Sequence, residues 1–418
     1  MNSDIKQRIV DIRRGNVPAG YQKTKLGITP ADWSTPELNS VLTENKERNR
    51  SGRFGKEDVL SVSGEFGVTN QIELLGRSFA GASVKDYHVV EAGNIVYTKS
   101  PLKENPYGII KLNKGNAGIV STLYAVYSCK SNEVGTYLDY YFSLDQNVNN
   151  YLRPLVRKGT KNDMKINNED VLKGCVILPP ESEIAKIVEI LGCCDRVITL
   201  KKELIAEKKK QKKALMQKLL NPDSGFRLPG FSGKWKKDVL GSFIDLISGV
   251  DFSTEVLLSD NKFTPYLTGA SNIDNNTLIL NRWVVEPKKI ALKNDILVVC
   301  KGSGVGAMII MPIHKAHIAR QFMAIRVYST SSNKYVYYIL QNSFERIKNE
   351  AQGLIVGIDR GTILKLNVAM PDKEEQQAIA DILSAADKEI DLLEQELAQQ
   401  EQKKKSLMQL LLTGIVRV

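Results

Sequence analysis

Two long stretches of the chain, residues 181–220 and 372–412, carry apolar residues at alternating spacings of three and four. This spacing places apolar side chains on one stripe of an α-helix and is typical of a coiled-coil seam. Eight of eleven seam positions are apolar in each stretch. One such helix alone would be poorly buried, so the pattern predicts two helices that pair. The residues predicted to make this pairing are Ile187, Leu191, Ile198, Ile205, Leu215, Ile379, Leu383, Ile390, Leu397 and Leu407.

The two stretches are also copies of each other. Residues 178–220 and 370–412 align without a gap at an offset of 192. The alignment matches Pro179 with Pro371, Glu183 with Glu375, Ile187 with Ile379, Leu191 with Leu383 and Asp195 with Asp387. A match this long in one register indicates an internal repeat.

The regions before the two helices repeat more faintly. Trp33 corresponds to Trp235, and residues 89–97 and 118–126 are similar to residues 290–298 and 317–325. Each half therefore runs from a tryptophan through a strand-rich region to a proline and a long helix. The predicted segments are a helical N-terminus, a first strand-rich domain, a first long helix, a second strand-rich domain with its linker, and a second long helix. Their predicted bounds are 1–20, 21–180, 181–220, 221–371 and 372–418.

Charge supports pairing of the long helices. The window 181–220 has a net charge of +4 and the window 373–412 has −4. If the helices are antiparallel and overlap fully, Lys208–Lys213 lies opposite Asp381 and Asp387, and Lys403–Lys405 lies opposite Glu189. Exposed ion pairs add little stability, so these charges are expected to set orientation. A solvated helix face is the alternative interpretation of Lys208–Lys213.

The remaining charge bears on the partner of the protein. The formal net charge of the chain is +11, and +9 of it lies in the two strand-rich regions and their linkers. Clustered Lys and Arg gain free energy by displacing counterions from phosphates, which favours a polyanionic partner for these regions.

No catalytic site, metal site or cofactor is predicted from the sequence. The glycine-rich stretch Lys301–Gly306 lacks the ending of a phosphate-binding loop and is followed by a strand-like run, which favours a hairpin turn. Asn105–Tyr107 lacks the second proline of the amino-methyltransferase motif that it partly matches. His314 and His317 have no third ligand at a suitable spacing. The five cysteines show no spacing suited to disulfides or zinc, and no apolar run is long enough for a membrane span, so a cytoplasmic location is expected.

The whole architecture resembles the specificity subunit of type I restriction-modification systems. The resemblance rests on the repeated helix that ends in Leu215–Leu220 and Leu407–Leu412, and on the Leu228–Trp235 segment that follows the first copy. It implies an α+β fold with two strand-rich α/β target-recognition domains separated by two long antiparallel coiled-coil helices. The halves would be related by a pseudo-twofold repeat and arranged in a circle, with the chain ends near one another.

The same resemblance implies a function. Each target-recognition domain would read one half of a bipartite target in double-stranded DNA. The helices would set the spacing of the half-sites and dock two modification (methyltransferase) subunits. Restriction (motor-nuclease) subunits would supply ATP-driven cleavage, which leaves this chain without catalysis. Two alternatives stay open: a coiled-coil scaffold that does not bind DNA, and the recognition subunit of a variant restriction enzyme.

Bases are read in the major groove by polar side chains, while other contacts to phosphates position the protein. We predict DNA contacts from polar residues in apparent loops beside strands. In the first domain these are Lys99, Ser100, Lys103, Lys158, Lys161 and Asn162, and in the second they are Lys301, Ser303, Arg320, Gln321 and Arg360.

Overall fold

The computed structural model describes residues 3–158, 164–253, 259–274, 277–302, 304–350 and 357–418, without the side chains of residue 158 and residues 346–350. The chain folds into two compact units. Unit 1 comprises Met1–Leu200 together with Leu397–Val418, and unit 2 comprises Lys201–Glu396. Unit 1 is therefore completed by the C-terminal part of the chain.

Unit 1 combines short helices with antiparallel strands. Its helices before the first long helix are α1 (Ser3–Arg13), α2 (Gln71–Leu75), α3 (Asn132–Phe142), α4 (Asp145–Leu152) and α5 (Asn168–Val171). Its strands are β1 (Tyr21–Thr24), β2 (Gly27–Pro30), β3 (Leu42–Glu44), β4 (Leu60–Ser63), β5 (Gly67–Asn70), β6 (His88–Val90), β7 (Ile95–Tyr97), β8 (Ile110–Leu112), β9 (Gly118–Val120), β10 (Ala125–Cys129), β11 (Arg157–Lys158) and β12 (Met164–Lys165). The main sheet has the order β3-β10-β7-β8, and the other strands form the pairs β1-β2, β4-β5, β6-β9 and β11-β12.

Unit 2 repeats this plan with a larger second sheet. Its strands are β13 (Lys236–Val239), β14 (Ile244–Ser248), β15 (Thr264–Leu267), β16 (Ile273–Asp274), β17 (Thr277–Leu278), β18 (Trp283–Val284), β19 (Ile290–Leu292), β20 (Ile296–Val299), β21 (Met308–Ile310), β22 (Lys315–Ile318), β23 (Phe322–Val327) and β24 (Asn367–Met370). Its short helices are α7 (Asn333–Glu350) and α8 (Arg360–Leu364). The sheets have the orders β14-β23-β20-β21 and β18-β15-β22-β19, with further pairs β13-β24 and β16-β17.

The main sheets of the two units have the same strand order, which confirms the internal repeat predicted from the sequence. In each, the two central strands are antiparallel neighbours, with Ala125 opposite Tyr97 in unit 1 and Met323 opposite Val298 in unit 2. The described residues of the stretch Lys301–Gly306 lie in the hairpin between β20 and β21, as the sequence indicates.

The central strands are buried on both faces, so they do not alternate between apolar and polar residues. Every residue of β20 is buried. Ile296 and Val298 point into one hydrophobic cluster and Leu297 and Val299 into another, as the two-residue period of a strand requires. The first cluster also contains residues of α7 and of the long helices, including Tyr335, Met216 and Leu383.

The long helices are α6 (Glu181–Leu219) and α9 (Lys373–Leu411), each of 39 residues and each passing from one unit into the other. Ile187 and Leu191 are fully buried, as is Leu383. Of the other predicted pairing residues, Ile198, Ile205, Ile379 and Ile390 are buried, and Leu215, Leu397 and Leu407 are half-buried. Met216 is buried in place of Leu215, and Met408 in place of Leu407. The buried position is therefore shifted by one residue near the C-terminal end of each helix.

Ion pairs show that the two helices are antiparallel where they meet in unit 2. Lys201 Nζ lies 2.6 Å from Glu396 Oε2, and Lys208 Nζ lies 2.6 Å from Glu389 Oε1. The stretch Lys208–Lys213 is thus not simply a solvated face. In unit 1 Lys404 pairs with Asp195 and not with Glu189, because the overlap of the helices is offset from the full overlap assumed for the sequence.

The described helices include none with the length and apolarity needed to cross a membrane.

Candidate nucleic-acid interface

Four predicted DNA-contacting residues of unit 2 lie on segments that the backbone ties together: Lys301, Arg320 and Gln321 are on turns, and Arg360 is the first residue of α8. Cys300 N donates to Gln321 O over 2.7 Å, which joins the turn holding Lys301 to the turn between β22 and β23. Ile358 N donates to Cys300 O over 2.9 Å, which brings the segment before Arg360 to the same place. Lys301, Arg320, Gln321 and Arg360 are all exposed. These backbone contacts therefore join the segments that carry the four residues, whereas Ser303 lies outside the described residues.

Two of the three cations, Arg320 and Arg360, are held by acceptors. Arg320 Nε lies 2.7 Å from Asp251 Oδ2, and Arg320 N donates to Asp251 Oδ1 over 3.0 Å. Arg360 Nη1 donates to Leu246 O and to Ser248 Oγ, each over 2.9 Å. Because each guanidinium has five N–H donors, both arginines keep donors for a ligand while their stems are fixed.

Glycines allow these loops to pack closely. A Cβ at Gly269 would lie 1.9 Å from Gln321 Oε1, and a Cβ at Gly304 would lie 2.2 Å from the Cβ of Ala270. Gly302 has a φ of +90°, in the region that favours glycine. The glycine-rich turn therefore serves loop packing.

The predicted residues of unit 1 are less alike in their surroundings. Ser100 and Lys103 are exposed, and Lys103 Nζ lies 4.0 Å from Glu104 Oε1. Lys99 is half-buried, and its Nζ donates to Ile166 O over 3.0 Å and to Asn168 Oδ1 over 2.7 Å. Burial lowers the pKa of Lys99. The Lys99 ammonium thus organises the loop that precedes α5.

The β11-β12 hairpin carries the remaining predicted contacts of unit 1. Lys158 is the last residue of β11 and pairs with Met164 through its backbone, and its side chain lies outside the described part of the chain. Lys161 and Asn162 lie wholly outside the described residues.

Sequence reasoning missed Asn168 and Lys46. Asn168 accepts from Lys99 and donates to Glu44 Oε1 over 2.7 Å. Lys46 is exposed and lies 2.8 Å from Glu169 Oε1. Lys46 lies in a loop and Asn168 begins the short helix α5, and neither belongs to a periodic pattern or motif, so no signal in the sequence pointed to them.

The structure places His314 and His317 outside any cluster of metal-ligand side chains among the described residues. His314 precedes β22, and His317 is buried within that strand. His317 Nδ1 accepts from Lys288 N and Lys289 N, each over 3.1 Å, and its Nε2 lies 2.8 Å from Val250 O. Burial lowers the pKa of His317. The residues that the structure describes include no group of three or more His, Cys, Asp or Glu side chains placed to hold a metal ion.

Comparison with known proteins shows which proteins the chain is similar to. Residues 232–402 match the model of the type I restriction modification DNA specificity domain. The chain is 24% identical to the putative type I restriction enzyme MjaX specificity subunit of Methanocaldococcus jannaschii, over 95% of this chain and 97% of that protein. It is 26% identical to the type I restriction enzyme MjaVIII specificity subunit of the same organism, over 58% of this chain and 62% of that protein. Over most of its length the chain is thus similar to a type I specificity subunit, and its second half matches the DNA specificity domain.

Solved structures agree in fold. A chain from a structure of the assembly and conformational transition of the type I restriction-modification system has a TM-score of 0.60 at 17% identity, over 93% of this chain and 99% of that chain. The S subunit of a type I system from M. genitalium has a TM-score of 0.55 at 15% identity, over 91% of this chain and 96% of that chain. The predicted resemblance and the α+β fold with long paired helices are confirmed.

Proposed function

We propose that this chain binds a bipartite target in double-stranded DNA, with the strand-rich part of each unit, its recognition domain, reading one half-site. The observation that carries the proposal is the group of exposed polar side chains on the joined loops of unit 2. Lys301, Arg320 and Arg360 supply positive charge, and Gln321 supplies an amide that suits the edge of an adenine. Arginines held on one side by Asp251 or Ser248 are suited to fixed contacts with bases or phosphates.

In unit 1 the proposed reading loops are those that carry Ser100 and Lys103 and the β11-β12 hairpin. Lys99 acts there by holding the loop before α5 through Ile166 O and Asn168. The two recognition domains share a strand order but differ in their loops. This arrangement suits two different half-sites, because the sheet fixes the position of the loops and the loops carry the recognition chemistry.

The long helices are the proposed docking surface for two modification subunits. Leu200 of α6 is 63% exposed and Leu392 of α9 is 51% exposed. These leucines are related by the repeat offset of 192 residues. Equivalent exposed apolar positions on the two helices suit two copies of one partner. Restriction subunits would join that assembly.

Removing the loop cations of unit 2 should weaken DNA binding. We expect the variant K301A/R320A/R360A to bind target DNA about 10- to 100-fold more weakly and to show a smaller salt dependence, because each lost phosphate contact lowers the salt slope by about 0.9. Binding of the full chain is measured by gel shift over a series of salt concentrations. K301A alone, which disturbs none of the arginine contacts, should bind target DNA about threefold more weakly than the wild type.

The matched control is K186A/K218A/K234A, which removes the same charge from exposed positions outside the proposed loops. It should keep near wild-type affinity. Equal affinity for DNA in the loop variant and the wild type would remove the unit 2 loops from the interface. A wild-type chain with no salt-dependent binding to any DNA would favour a scaffold.

The chain alone is expected neither to methylate nor to cut DNA. Purified protein supplied with S-adenosylmethionine, ATP and magnesium should give no methylated or cleaved product. Methylated DNA should appear only after the modification subunits are added. Turnover by the full chain alone, retained through successive purification steps, would contradict a non-catalytic role.

A further inference from the structure

Three elements of unit 1 meet at one polar contact. Tyr140 of α3 donates from its hydroxyl to Asp195 Oδ2 of α6 over 2.6 Å. Lys404 of α9 pairs with the other oxygen of Asp195. Lys404 Nζ also lies 5.2 Å from the centre of the Tyr140 ring. A helix of the recognition domain is thereby tied to both long helices.

Unit 2 contains the same Tyr–Asp–Lys triad. Tyr338 of α7 donates to Asp387 Oδ2 of α9 over 2.7 Å, and Lys212 Nζ of α6 lies 2.5 Å from Asp387 Oδ1. Lys212 Nζ lies 5.4 Å from the centre of the Tyr338 ring. Asp387 and Lys404 follow Asp195 and Lys212 by the repeat offset of 192. The long helices thus exchange roles between the units, with each giving the aspartate to one triad and the lysine to the other.

A second tyrosine on each recognition helix adds another point of attachment. Tyr137 donates to Ile177 O over 3.1 Å, and Tyr335 donates to Ala369 O over 3.0 Å. Both tyrosines are fully buried. Each precedes the tyrosine of its triad by three residues and so lies on the same side of its helix. Two directional contacts one helical turn apart fix the rotation of the recognition helix, which a single contact would leave free.

The triads are not needed mainly for stability. The side chains of Asp195 and Asp387 are 37% and 30% exposed, and ion pairs with that exposure contribute little. The apolar clusters already join α3 and α7 to the long helices. What the triads add is direction, because a hydroxyl and an ammonium must meet the two oxygens of one carboxylate.

We propose that Tyr140, Asp195 and Lys404, and equally Tyr338, Asp387 and Lys212, are positioning residues that hold each recognition domain at one rotation about the long helices. They thereby restrict the spacing between half-sites that the protein accepts. This inference rests on the proposed function of reading a bipartite target.

The neighbours of the triads differ between the units. In unit 1 Lys114 Nζ lies 5.1 Å from the Tyr140 ring centre and 2.7 Å from Asp139 Oδ2. In unit 2 Ser384 Oγ lies 3.2 Å from the Tyr338 hydroxyl oxygen, within hydrogen-bond distance. A double variant that changes both units is therefore the sharpest test, because either triad alone has its own support.

The test compares Y140F/Y338F with the wild type in complex with modification subunits. Each is given a library of targets that keeps both half-sites and varies the spacer by up to two base pairs, and methylation is read by sequencing. We expect the ratio of methylation at the best spacer to methylation at the neighbouring spacer lengths to fall about fivefold. Methylation at the best spacer should stay within about twofold, and both half-site sequences should be unchanged. K212M/K404M, which keeps the lysine stems without the charge, should broaden the preference in the same way.

The matched control is Y328F, which removes a hydrogen bond from Tyr328 to Asp245 Oδ1 within the recognition domain of unit 2. Its spacer preference should equal that of the wild type. A Y140F/Y338F complex with undiminished spacer preference, or with equal loss at every spacer, would overturn the positioning role. A wild-type complex that binds no bipartite DNA would instead overturn the proposed function.

Discussion

Replacing Trp33 with alanine is expected to destabilise unit 1 by about 3–5 kcal/mol, a large part of the stability of a folded domain. The indole is 2% exposed, and its Nε1 donates to Glu183 Oε2 over 2.8 Å. Arg417 donates to both oxygens of the same buried carboxylate, each over 2.8 Å. Loss of the ring would leave a cavity beside an ion pair and remove one donor from Glu183.

Two cysteines report on the units separately. Cys129 of unit 1 is half-buried and Cys300 of unit 2 is buried, and burial raises the pKa of each thiol to about 12. The raised pKa and the burial slow modification of both thiols in the folded chain, so local or global opening accelerates it. Mass spectrometry after timed thiol labelling should show faster modification of Cys129 in W33A, with little change at Cys300.

The control is W235A, at the position that the repeat relates to Trp33. Trp235 is only half-buried against the core of unit 2, so its loss should cost about 1–2 kcal/mol and accelerate labelling of Cys300 alone. If labelling of Cys129 were equally slow in W33A and the wild type, the Trp33–Glu183–Arg417 contact would not be a main support of unit 1.

The sequence predicted the features that follow from periodicity. Helix α6 was recognised because residues such as Ile187 and Leu191 recur at helical spacing, and α9 because it repeats the same pattern. The offset of 192 also brought Asp195 and Asp387 to attention as equivalent residues. Each of these signals lies within one segment, so no knowledge of long-range contacts was needed.

The contacts between segments could not be predicted in the same way. The chain offers many lysines for each acidic partner, and a change of a few residues in helix overlap transfers Lys404 from Glu189 to Asp195. The role of Lys99 depends on Asn168, which is distant in sequence and belongs to no motif. Tyr140 and Tyr338 were missed for the same reason, because their Asp and Lys partners come from other helices.

The circular order of the repeat predicts that the C-terminal segment packs in unit 1. An ion pair that recurs in both units is the physical basis of this arrangement. Arg417 binds Glu183 in unit 1, and Arg227 binds Glu375 through Nε and Nη2 over 3.0 and 2.7 Å in unit 2. Glu183 and Glu375 are repeat equivalents near the starts of α6 and α9. Each long helix therefore begins beside an arginine that follows the end of the other long helix.

Lengthening both long helices by four residues is expected to change the spacing of the half-sites while leaving their sequences unchanged. The insertions follow Lys202 in α6 and Glu394 in α9. These points lie beside each other, because the neighbouring Lys201 and Glu396 form an ion pair. Each helix gains about 6 Å at 1.5 Å per residue. Since DNA rises 3.4 Å per base pair, the preferred spacer should grow by one or two base pairs.

Insertion into one helix alone serves as the control for this experiment. It would displace one side of the seam relative to the other, separating Lys208 from Glu389 and moving the buried residues Ile205 and Ile390 out of register. That variant should lose thermal stability and activity without acquiring a new spacer. The comparison separates the effect of helix length from damage to the pairing.

Sequencing of methylated sites in cells that carry the doubly extended chain distinguishes a spacing role from a docking role. Helices that only dock modification subunits would give weaker assembly and an unchanged spacer. Helices that set the distance would give full methylation at a longer spacer, because the loops of both recognition domains are untouched. An active, doubly extended enzyme with the original spacer would therefore exclude helix length as the determinant of spacing.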